Sequence, residues 1–325
     1  MKRRDFIAGV GGALAMPVAM HAQHAMPLLG FISPVARDLF SFAFPSFLKG
    51  LGETGYVEGR NVLIDYRSTE GRNDLLPAVL ADLLRRQVSL IVVAGNSQIA
   101  AAKAATATVP IVFLTGEDPV KVGFVASLNR PGGNLTGVNT LALAVGPKRL
   151  EVMHELLPTA TRIALLANPS NPISTENQTR ELQAAARPHA IQLDVLLASS
   201  DREFDAVFAS LLERRTDGLI ILPDAFLNSR SEQLAHLALR HRVPAIFQGH
   251  QFVMAGGLMS YGTNSSEAFR LVGVYAGRVL KGEKPATLPI LQSTKVELFV
   301  NLKTAKALGI SVPLPLLGRA DEVIE

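Results

Sequence analysis

The sequence predicts an α/β fold of two Rossmann-like lobes with parallel sheets, joined by several strands that form a hinge. Short β-branched apolar runs alternate with amphipathic stretches, which is typical of parallel strands covered by helices on both faces. This arrangement occurs twice along the chain, at a period too long for a solenoid. The length of 325 residues suits two lobes of ordinary size.

The first half of the chain provides the first set of elements. Strands are predicted over residues 28–32, 62–66, 90–94 and 111–114, which are short and predominantly apolar runs. Two helices are predicted between these strands, because apolar residues recur there with the 3.6-residue period of a helix. The apolar stripe begins at Phe44 on the first helix and at Leu75 on the second. Each apolar stripe is expected to face a sheet.

The second half repeats this plan. Strands are predicted over residues 163–167, 191–197, 219–222 and 245–247, and the helix with the clearest apolar stripe begins at Phe204. In both halves an apolar strand, a helix and a strand introduced by Val-Pro follow in the same order. Such a repeat fits two similar lobes built on one open-sheet plan.

The lobe boundary is predicted from the Pro-Gly-Gly turn after Arg130, and it falls near residues 137–140. The tail departs from strict alternation. Residues 256–262 resemble a strand that returns across the boundary, followed by a helix over 267–280, a strand over 296–301 and a helix over 302–308. Lobe 1 is therefore predicted over 26–139 plus about 262–288, and lobe 2 over 140–261 plus about 289–325.

Residues 1–25 are predicted to be a signal peptide. A basic start precedes an apolar stretch over 7–20, and small residues suitable for cleavage follow at Ala22 and Ala25. The pair Arg3-Arg4 is in the order expected of a twin-arginine signal, so we expect export to the periplasm. The alternative, an amphipathic helix of a cytoplasmic protein, is disfavoured because the stretch has no polar face.

Composition excludes several classes of function. With 48% hydrophobic and 18% charged residues, the chain is not predominantly disordered. The formal charge is +4, and because three basic residues and one acidic residue lie within the first five, the rest carries only +2. No basic stripe remains there, which argues against a nucleic-acid partner. The absence of cysteine excludes disulfides and thiolate metal sites.

Motifs for catalysis are missing or weak. The sequence contains no Gly-x-Ser-x-Gly, P-loop or His-Glu-x-x-His motif. Ser46 and Lys49 match a Ser-x-x-Lys pattern, but the residues around them indicate an ordinary packed helix. His236 and His241 lie about 140° apart on a helix, which makes a shared metal improbable. We therefore expect no enzymatic activity, no cofactor and no metal.

Candidate ligand-binding residues follow the predicted strands, because ligands of open parallel sheets sit at the carboxyl ends of the strands. The candidates are Ser33, Asn96, Ser97, Thr115, Asp118, Asn168, Asp224, Phe226 and Gln248. Asn96 and Ser97 open a helix after a glycine and could hold a carboxylate. Asp224 could accept an ammonium group, and Phe226 could stack on a ligand.

Each of these residues also has a structural alternative. Asn96 and Ser97 could be plain helix caps, and Asp118 before Pro119 is a common helix start. Asp224 could form an Asx-turn, and Phe226 could serve only in packing. The sequence leaves these alternatives open.

Several segments resemble one family along nearly the whole chain. They are Val109-Pro-Ile-Val-Phe, Glu117-Asp-Pro-Val, Leu128-Asn-Arg-Pro-Gly-Gly-Asn-Leu-Thr-Gly, Asn168-Pro-Ser-Asn-Pro, Ala255-Gly-Gly-Leu-Met-Ser-Tyr-Gly and Asn301-Leu-Lys-Thr-Ala-Lys-Ala-Leu-Gly. In these segments the sequence is similar to the ABC-transporter substrate-binding family that includes tryptophan and tyrosine receptors. The resemblance implies a type I periplasmic-binding-protein fold with three crossings between lobes and a ligand in the cleft.

The expected function is that of a monomeric periplasmic receptor. It would capture a small molecule, an amino acid or a small aromatic or carboxylate compound, and deliver it to an ABC permease and ATPase at the inner membrane. Two alternatives stay open at this point: a ligand-sensing module for a membrane kinase, and an exported enzyme with a cleft active site. Neighbouring genes would separate transport from sensing, and turnover of a substrate would reveal an enzyme.

Overall fold

The described residues form two β-sheets, each covered by helices on both faces, as the sequence predicts. The computed structural model describes residues 26–38, 43–142, 144–293 and 295–325. The predicted signal peptide, with its twin-arginine pair and cleavage sites, therefore lies outside the described residues. No helix in the described part of the chain is both long and apolar enough to span a bilayer.

The first sheet contains six strands, all parallel to their neighbours among the described residues. They are β1 (Leu28–Ser33), β2 (Leu63–Ser68), β3 (Leu90–Ala94), β4 (Ile111–Thr115), β5 (Leu135–Asn139) and β11 (Leu291–Gln292), in the order β11-β5-β4-β3-β1-β2. The helices that connect them are α1 (Ala43–Glu53), α2 (Leu76–Arg85) and α3 (Asn96–Ala105).

The second sheet has the order β13-β12-β10-β9-β8-β6-β7. Its strands are β6 (Arg162–Ala167), β7 (Gln192–Leu197), β8 (Gly218–Ile221), β9 (Ala245–Phe247), β10 (Met259–Thr263), β12 (Val296–Asn301) and β13 (Glu322–Ile324). Neighbouring strands are parallel except for β10 and β12, which pair antiparallel. The sheet is therefore mixed at this one pairing, whereas the sequence predicts purely parallel sheets.

Helices of the second half cover the second sheet. They are α4 (Gly146–Leu156), α5 (Pro172–Ala186), α6 (Asp201–Glu213), α7 (Ala225–Ser229), α8 (Ser231–Arg240), α9 (His250–Met254), α11 (Leu302–Leu308) and α12 (Leu314–Leu317). Leu150 and Met153 of α4 pack on one face of this sheet, and Phe204 and Phe208 of α6 pack on the other. The helix stripe predicted from Phe204 thus faces the core.

One helix, α10 (Ser265–Leu280), follows a strand of the second sheet but packs beside the first. It lies against α1, and the two backbones approach closely. A Cβ atom on Gly273 would lie 2.1 Å from the carbonyl oxygen of Phe47, and one on Gly50 would lie 1.8 Å from the carbonyl oxygen of Arg270. Only glycine fits at these two contacts.

Two elements differ from the prediction. Residues 256–262 are predicted to cross between lobes, but β10 pairs with β9 and β12 and so belongs entirely to the second sheet. The chain instead crosses after this strand, and α10 is the element that returns. No strand is predicted over residues 135–139, but β5 is a buried strand of the first sheet, bonded to β4 and β11.

The first sheet together with α1, α2, α3 and α10 is called lobe 1. The second sheet together with the remaining helices is called lobe 2. The chain passes to lobe 2 after β5, returns after β10 and passes to lobe 2 again after β11. The residue boundaries given above for the lobes, and their movement as rigid bodies around a hinge, remain predictions.

Candidate functional site

A cavity of about 120 Å³ lies between the two lobes, where the carboxyl ends of their strands face each other. Lobe 1 contributes Asn96, Thr115 and Glu117 to its polar lining, and lobe 2 contributes Ser174, Asp224 and Gln248. This is the position at which open α/β sheets bind ligands. We call it the central cavity.

The wall in lobe 1 begins at the turn between β3 and α3. Gly95 has φ 102°, a conformation that residues with a side chain rarely adopt, and it lets the chain turn directly into the helix. Asn96 is buried; its Oδ1 accepts a hydrogen bond from Thr115 Oγ1 at 2.8 Å, and its Nδ2 donates to Glu117 Oε1 at 2.6 Å. The three side chains thus form a connected network at the strand ends.

Glu117 is the acidic group of lobe 1 in the central cavity. It is only 6% exposed, and its Oε2 accepts a hydrogen bond at 3.1 Å from Asn177 Nδ2, which belongs to α5 of lobe 2. Burial raises the pKa of Glu117, because removal from water disfavours the charged form; the hydrogen bonds from Asn177 and Asn96 act in the opposite direction. Glu117 therefore connects the two lobes.

Asp224 is the acidic group of lobe 2. It follows β8 and caps α7, since its Oδ1 accepts hydrogen bonds from the N–H groups of Phe226 at 2.8 Å and Leu227 at 3.2 Å. Asn168 Nδ2 donates to the same oxygen at 3.0 Å. Burial raises the pKa of Asp224, and these hydrogen bonds partly oppose that effect. Asp224 thus forms the Asx-turn expected as its structural alternative, and it lines the central cavity as well.

Several helices begin beside the central cavity. The first residues of α3, α7 and α10, which are Asn96, Ala225 and Ser265, line it, as does Ser174 in the first turn of α5. Helix amino termini carry free N–H groups and a partial positive charge, so they favour a negatively charged ligand group. The cavity thus presents carboxylates and positive helix ends together.

The apolar part of the wall comes mainly from lobe 1. Leu114, Ala142 and Phe269 line the central cavity, and Phe269 is 6% exposed. On the opposite side, Gln248 Nε2 donates to Asn228 Oδ1 at 2.7 Å, which fixes both amides at the carboxyl end of β9. No Lys, Arg or His occurs among the described residues that line the cavity.

A smaller cavity of about 50 Å³ adjoins the central one and shares Gly95, Asn171, Asp224 and Ala225 with it. Ser97, Asn168 and Phe226 line this second cavity. Phe226 also stacks on Phe204, with ring centroids 5.7 Å apart, so packing accounts for one face of its ring. Together the two cavities bring seven of the nine predicted residues into one cleft.

Ser33 and Asp118 were wrongly expected in the site, as neither lines the two cavities. Ser33 is fully buried, and its hydroxyl accepts a hydrogen bond from Val35 N at 3.1 Å. Asp118 is exposed, and its carboxylate accepts hydrogen bonds from the N–H groups of Val120 and Lys121. These bonds belong to a turn, and the helix start expected as the alternative is not formed there. The position of a residue after a strand thus does not decide which way its side chain turns.

Other lining residues were missed by the sequence analysis. Glu117 lies one position before Asp118. It is the second residue after the end of β4, and this position at a strand end could have identified it as a candidate. Thr140, Thr263 and Ser265 lie where the chain passes between the lobes, and they were missed because the search considered only residues that follow strands within one lobe. Asn177 does not line the cavities but donates a hydrogen bond to Glu117, which does. It lies within α5, far from any strand end, so only the packing of the lobes reveals this contact.

Two hydrogen bonds cross directly between the lobes around these cavities. Asn73 Nδ2 donates to the carbonyl oxygen of Ser170 at 2.7 Å, and Asn177 Nδ2 donates to Glu117 as described. The lobes are therefore in contact at the cleft, which is a closed arrangement. Within the described ranges, no group of three or more His, Cys, Asp or Glu side chains could hold a metal ion.

Comparison with known proteins agrees with this geometry. Residues 29–324 match the family described as ABC transporter substrate binding protein. A tyrosine-binding protein of Clostridioides difficile (strain R20291) is 26% identical over 282 residues, which cover 87% of this chain and 81% of that protein.

Solved structures match over 92% of this chain. An ABC domain in complex with L-Trp from Streptococcus pneumoniae is 24% identical, with a TM-score of 0.80 over 100% of that chain. A ligand-free, open structure of a substrate-binding protein with adhesive properties from Clostridium difficile is 23% identical, with a TM-score of 0.61 over 99% of that chain. The fold is that of type I periplasmic binding proteins, as the resemblance implies. With the family match spanning almost every described residue, the chain belongs to the family of ABC transporter substrate binding proteins.

Proposed function

We propose that the protein is the receptor of an ABC importer and that it captures an α-amino acid in the central cavity. The observation that carries this proposal is the combination, in one interlobe cavity, of carboxylates with helix amino termini and with no basic side chain among the described lining residues. A zwitterion complements such a site, because its ammonium pairs with carboxylates and its carboxylate with free N–H groups. Tyrosine and tryptophan, named with the similar proteins, are ligands of this class.

In the proposed binding mode, Ser97 and the first N–H groups of α3 hold the ligand carboxylate, and Asp224 accepts the ammonium. The start of α3, in lobe 1, and Asp224, in lobe 2, line the two adjoining cavities. Leu114 and Phe269 provide an apolar surface for the ligand side chain. Since the lining has no cation, we expect a neutral side chain rather than an acidic one.

The receptor would work without making or breaking a bond. Ligand binds to the open form, the lobes close around it, and the closed form is recognised by a permease and an ATPase in the membrane. This accounts for the absence of nucleophile and metal motifs noted above. An exported enzyme would instead convert the bound amino acid, which chromatography of the ligand after incubation would detect.

We further propose export to the periplasm, supported by the basic, apolar and small residues in order over 1–25. Exchange of Arg3 and Arg4 for lysine should leave precursor in the cytoplasm, as cell fractionation can measure. Undiminished mature protein in the periplasm would exclude the twin-arginine route.

The test of the binding mode is Asp224→Asn, measured by calorimetry with an amino acid and with its deaminated analogue. Asparagine retains an oxygen that can cap α7, so the fold should persist. When one partner of a buried charge pair is removed, the free energy of binding weakens by about 2 to 5 kcal/mol. Affinity for the amino acid should therefore fall at least about thirtyfold, while the analogue, which has no ammonium, should change little.

Asp205→Asn is the matched control, because Asp205 is an exposed residue of α6 outside the central cavity. It should leave both affinities unchanged. Equal losses for the two ligands in Asp224→Asn would show that Asp224 serves only as a cap. If no amino acid binds the wild type, the proposed ligand class is wrong.

A further inference from the structure

We propose that Glu117 and Asp224 form a divided cation site, one carboxylate from each lobe, in which the positive charge of the ligand permits the lobes to close. The inference rests on the proposed function and deepens it, since it assigns to Glu117 a role in both selectivity and closure. The ligand class that it implies is a primary amine that is protonated at neutral pH.

The first support is geometric. Glu117 and Asp224 come from different sheets, after β4 and after β8, and both line the central cavity. Their recorded hydrogen bonds come from amide groups, namely Asn96 and Asn177 for Glu117, and Asn168 with two backbone N–H groups for Asp224. None of these donors carries a charge. Both acidic groups thus line one cavity between the lobes, and no Lys, Arg or His is among the described residues that line it.

The second support is electrostatic. Like charges that share a desolvated site repel each other, and burial in a medium of low dielectric strengthens the repulsion. Around Glu117, the half-buried Glu181 of α5 adds a further negative charge, and the exposed Lys121 is the positive group that acts on it. Closure without a ligand therefore brings Glu117 of lobe 1 near the negative charge of Glu181 in lobe 2, and an ammonium bound at Glu117 removes that opposition.

The third support is the position of Asn177. This residue of α5 donates from lobe 2 to Glu117 Oε2, while Glu117 Oε1 accepts from Asn96 of lobe 1. The carboxylate is thus part of the cavity wall and of a contact between the lobes. Recognition of the ligand charge is therefore coupled to closure through one side chain.

Glu117→Gln tests the inference without any ligand, by small-angle X-ray scattering at pH 7. Glutamine preserves the size of the side chain and removes its charge, so ligand-free Glu117→Gln should have a smaller radius of gyration than the wild type. Asp224→Asn should show the same change, which provides a second variant. Glu176→Gln is the matched control on α5, because Glu176 is exposed and does not line the cavity.

Calorimetry with L-tyrosine, tyramine and 3-(4-hydroxyphenyl)propionate separates the two charges of the ligand. In Glu117→Gln, affinity for the two amines should fall tenfold or more, whereas affinity for the propionate, which has no amine, should stay equal or increase. Unchanged scattering in both carboxyl variants, or equal losses for all three compounds, would overturn the inference. If the wild type binds none of them, the proposed ligand fails, while the scattering result still decides whether the carboxylates oppose closure.

Discussion

Side chains at the strand ends of this protein perform two tasks at once. Asp224 caps α7 and faces the central cavity, and Glu117 belongs both to the cavity wall and to a contact between lobes. Capping needs an oxygen acceptor, and ligand binding needs a charge, so one carboxylate satisfies both. This is why the sequence could place Asp224 at the site but could not choose between a turn and a ligand.

Arg149 shows the opposite situation, a buried charge with no opposite charge beside it among the described residues. It is fully buried on α4, its Nε donates to the carbonyl oxygen of Tyr261 at 3.0 Å, and Nη1 and Nη2 have no hydrogen-bond partner within the described part of the chain. Burial lowers the pKa of its guanidinium to about 10, because the charged form is disfavoured away from water. At neutral pH this side chain therefore opposes folding by about 3 kcal/mol.

Arg149→Met should consequently raise the free energy of unfolding. The gain of about 3 kcal/mol is reduced by about 1 kcal/mol for the lost hydrogen bond to Tyr261, which leaves about 2 kcal/mol. Urea unfolding at pH 7 measures it, and Arg149→Lys, which keeps the charge, should show no such gain. A clear loss of stability in Arg149→Met would mean that the guanidinium is compensated in solution.

At the scale of elements, the contact between α1 and α10 determines how lobe 1 is built. The two backbones touch at Gly50 and Gly273, as described above. Helices in ordinary contact have axes 8–10 Å apart, set by the side chains between them, and glycines remove that spacer. A change of one methyl group at this contact should therefore have a large effect.

Gly273→Ala should lower the melting temperature, because its Cβ would lie 2.1 Å from Phe47 O and 2.7 Å from Leu51 N. Overpacking of this kind costs about 1 to 3 kcal/mol. Gly52→Ala is the matched control on α1, since a Cβ there meets nothing within 4 Å. That change should stabilise the helix by up to about 1 kcal/mol. Similar effects of the two variants would contradict the close contact.

Elements with uninterrupted apolar runs could be predicted closely, whereas polar ones could not. The strand predicted over 90–94 coincides with β3, whose five residues are all apolar. The strand predicted over 296–301 coincides with β12, in which three apolar residues follow Glu297. In contrast, β5 has the sequence Leu-Thr-Gly-Val-Asn, which is typical of a turn, yet it is fully buried between β4 and β11. Gly137 has to be small there, because a Cβ would lie 2.1 Å from Phe113 O. Tertiary packing, not local preference, makes this segment a strand.

At the scale of the whole molecule, the cleft is closed by direct bonds between lobes. Asn73 Nδ2 donates to Ser170 O at 2.7 Å, and Gln98 Nε2 donates to Asn73 Oδ1 at 3.4 Å, which orients the amide. The contact between Asn73 and Ser170 was not predictable, because it depends on how the two lobes meet, and hydrophobic periodicity carries no information about that. The ends of the strands, by comparison, were sufficient to locate the cleft itself.

Asn73→Ala should weaken every ligand alike. The closed form loses one hydrogen bond between lobes, worth about 1 kcal/mol, so dissociation constants should rise about fivefold for an amino acid and its deaminated analogue. Stopped-flow measurement should assign the change to faster dissociation. Asn129→Ala, at an exposed residue outside the cavities, should have no effect. A loss confined to the amino acid would indicate that Asn73 contacts the ligand.

The course of the chain also affects how a ribosome can produce this protein. Lobe 1 is completed by α10 and β11, which are synthesised only after most of lobe 2 has emerged, and lobe 2 is completed by β12 and β13 near the end. The apolar surface of α1 that α10 covers must therefore stay unprotected during much of translation, and such surfaces attract chaperones. A nascent chain arrested at residue 260 should thus bind a ribosome-associated chaperone, and release of the finished chain should end that association.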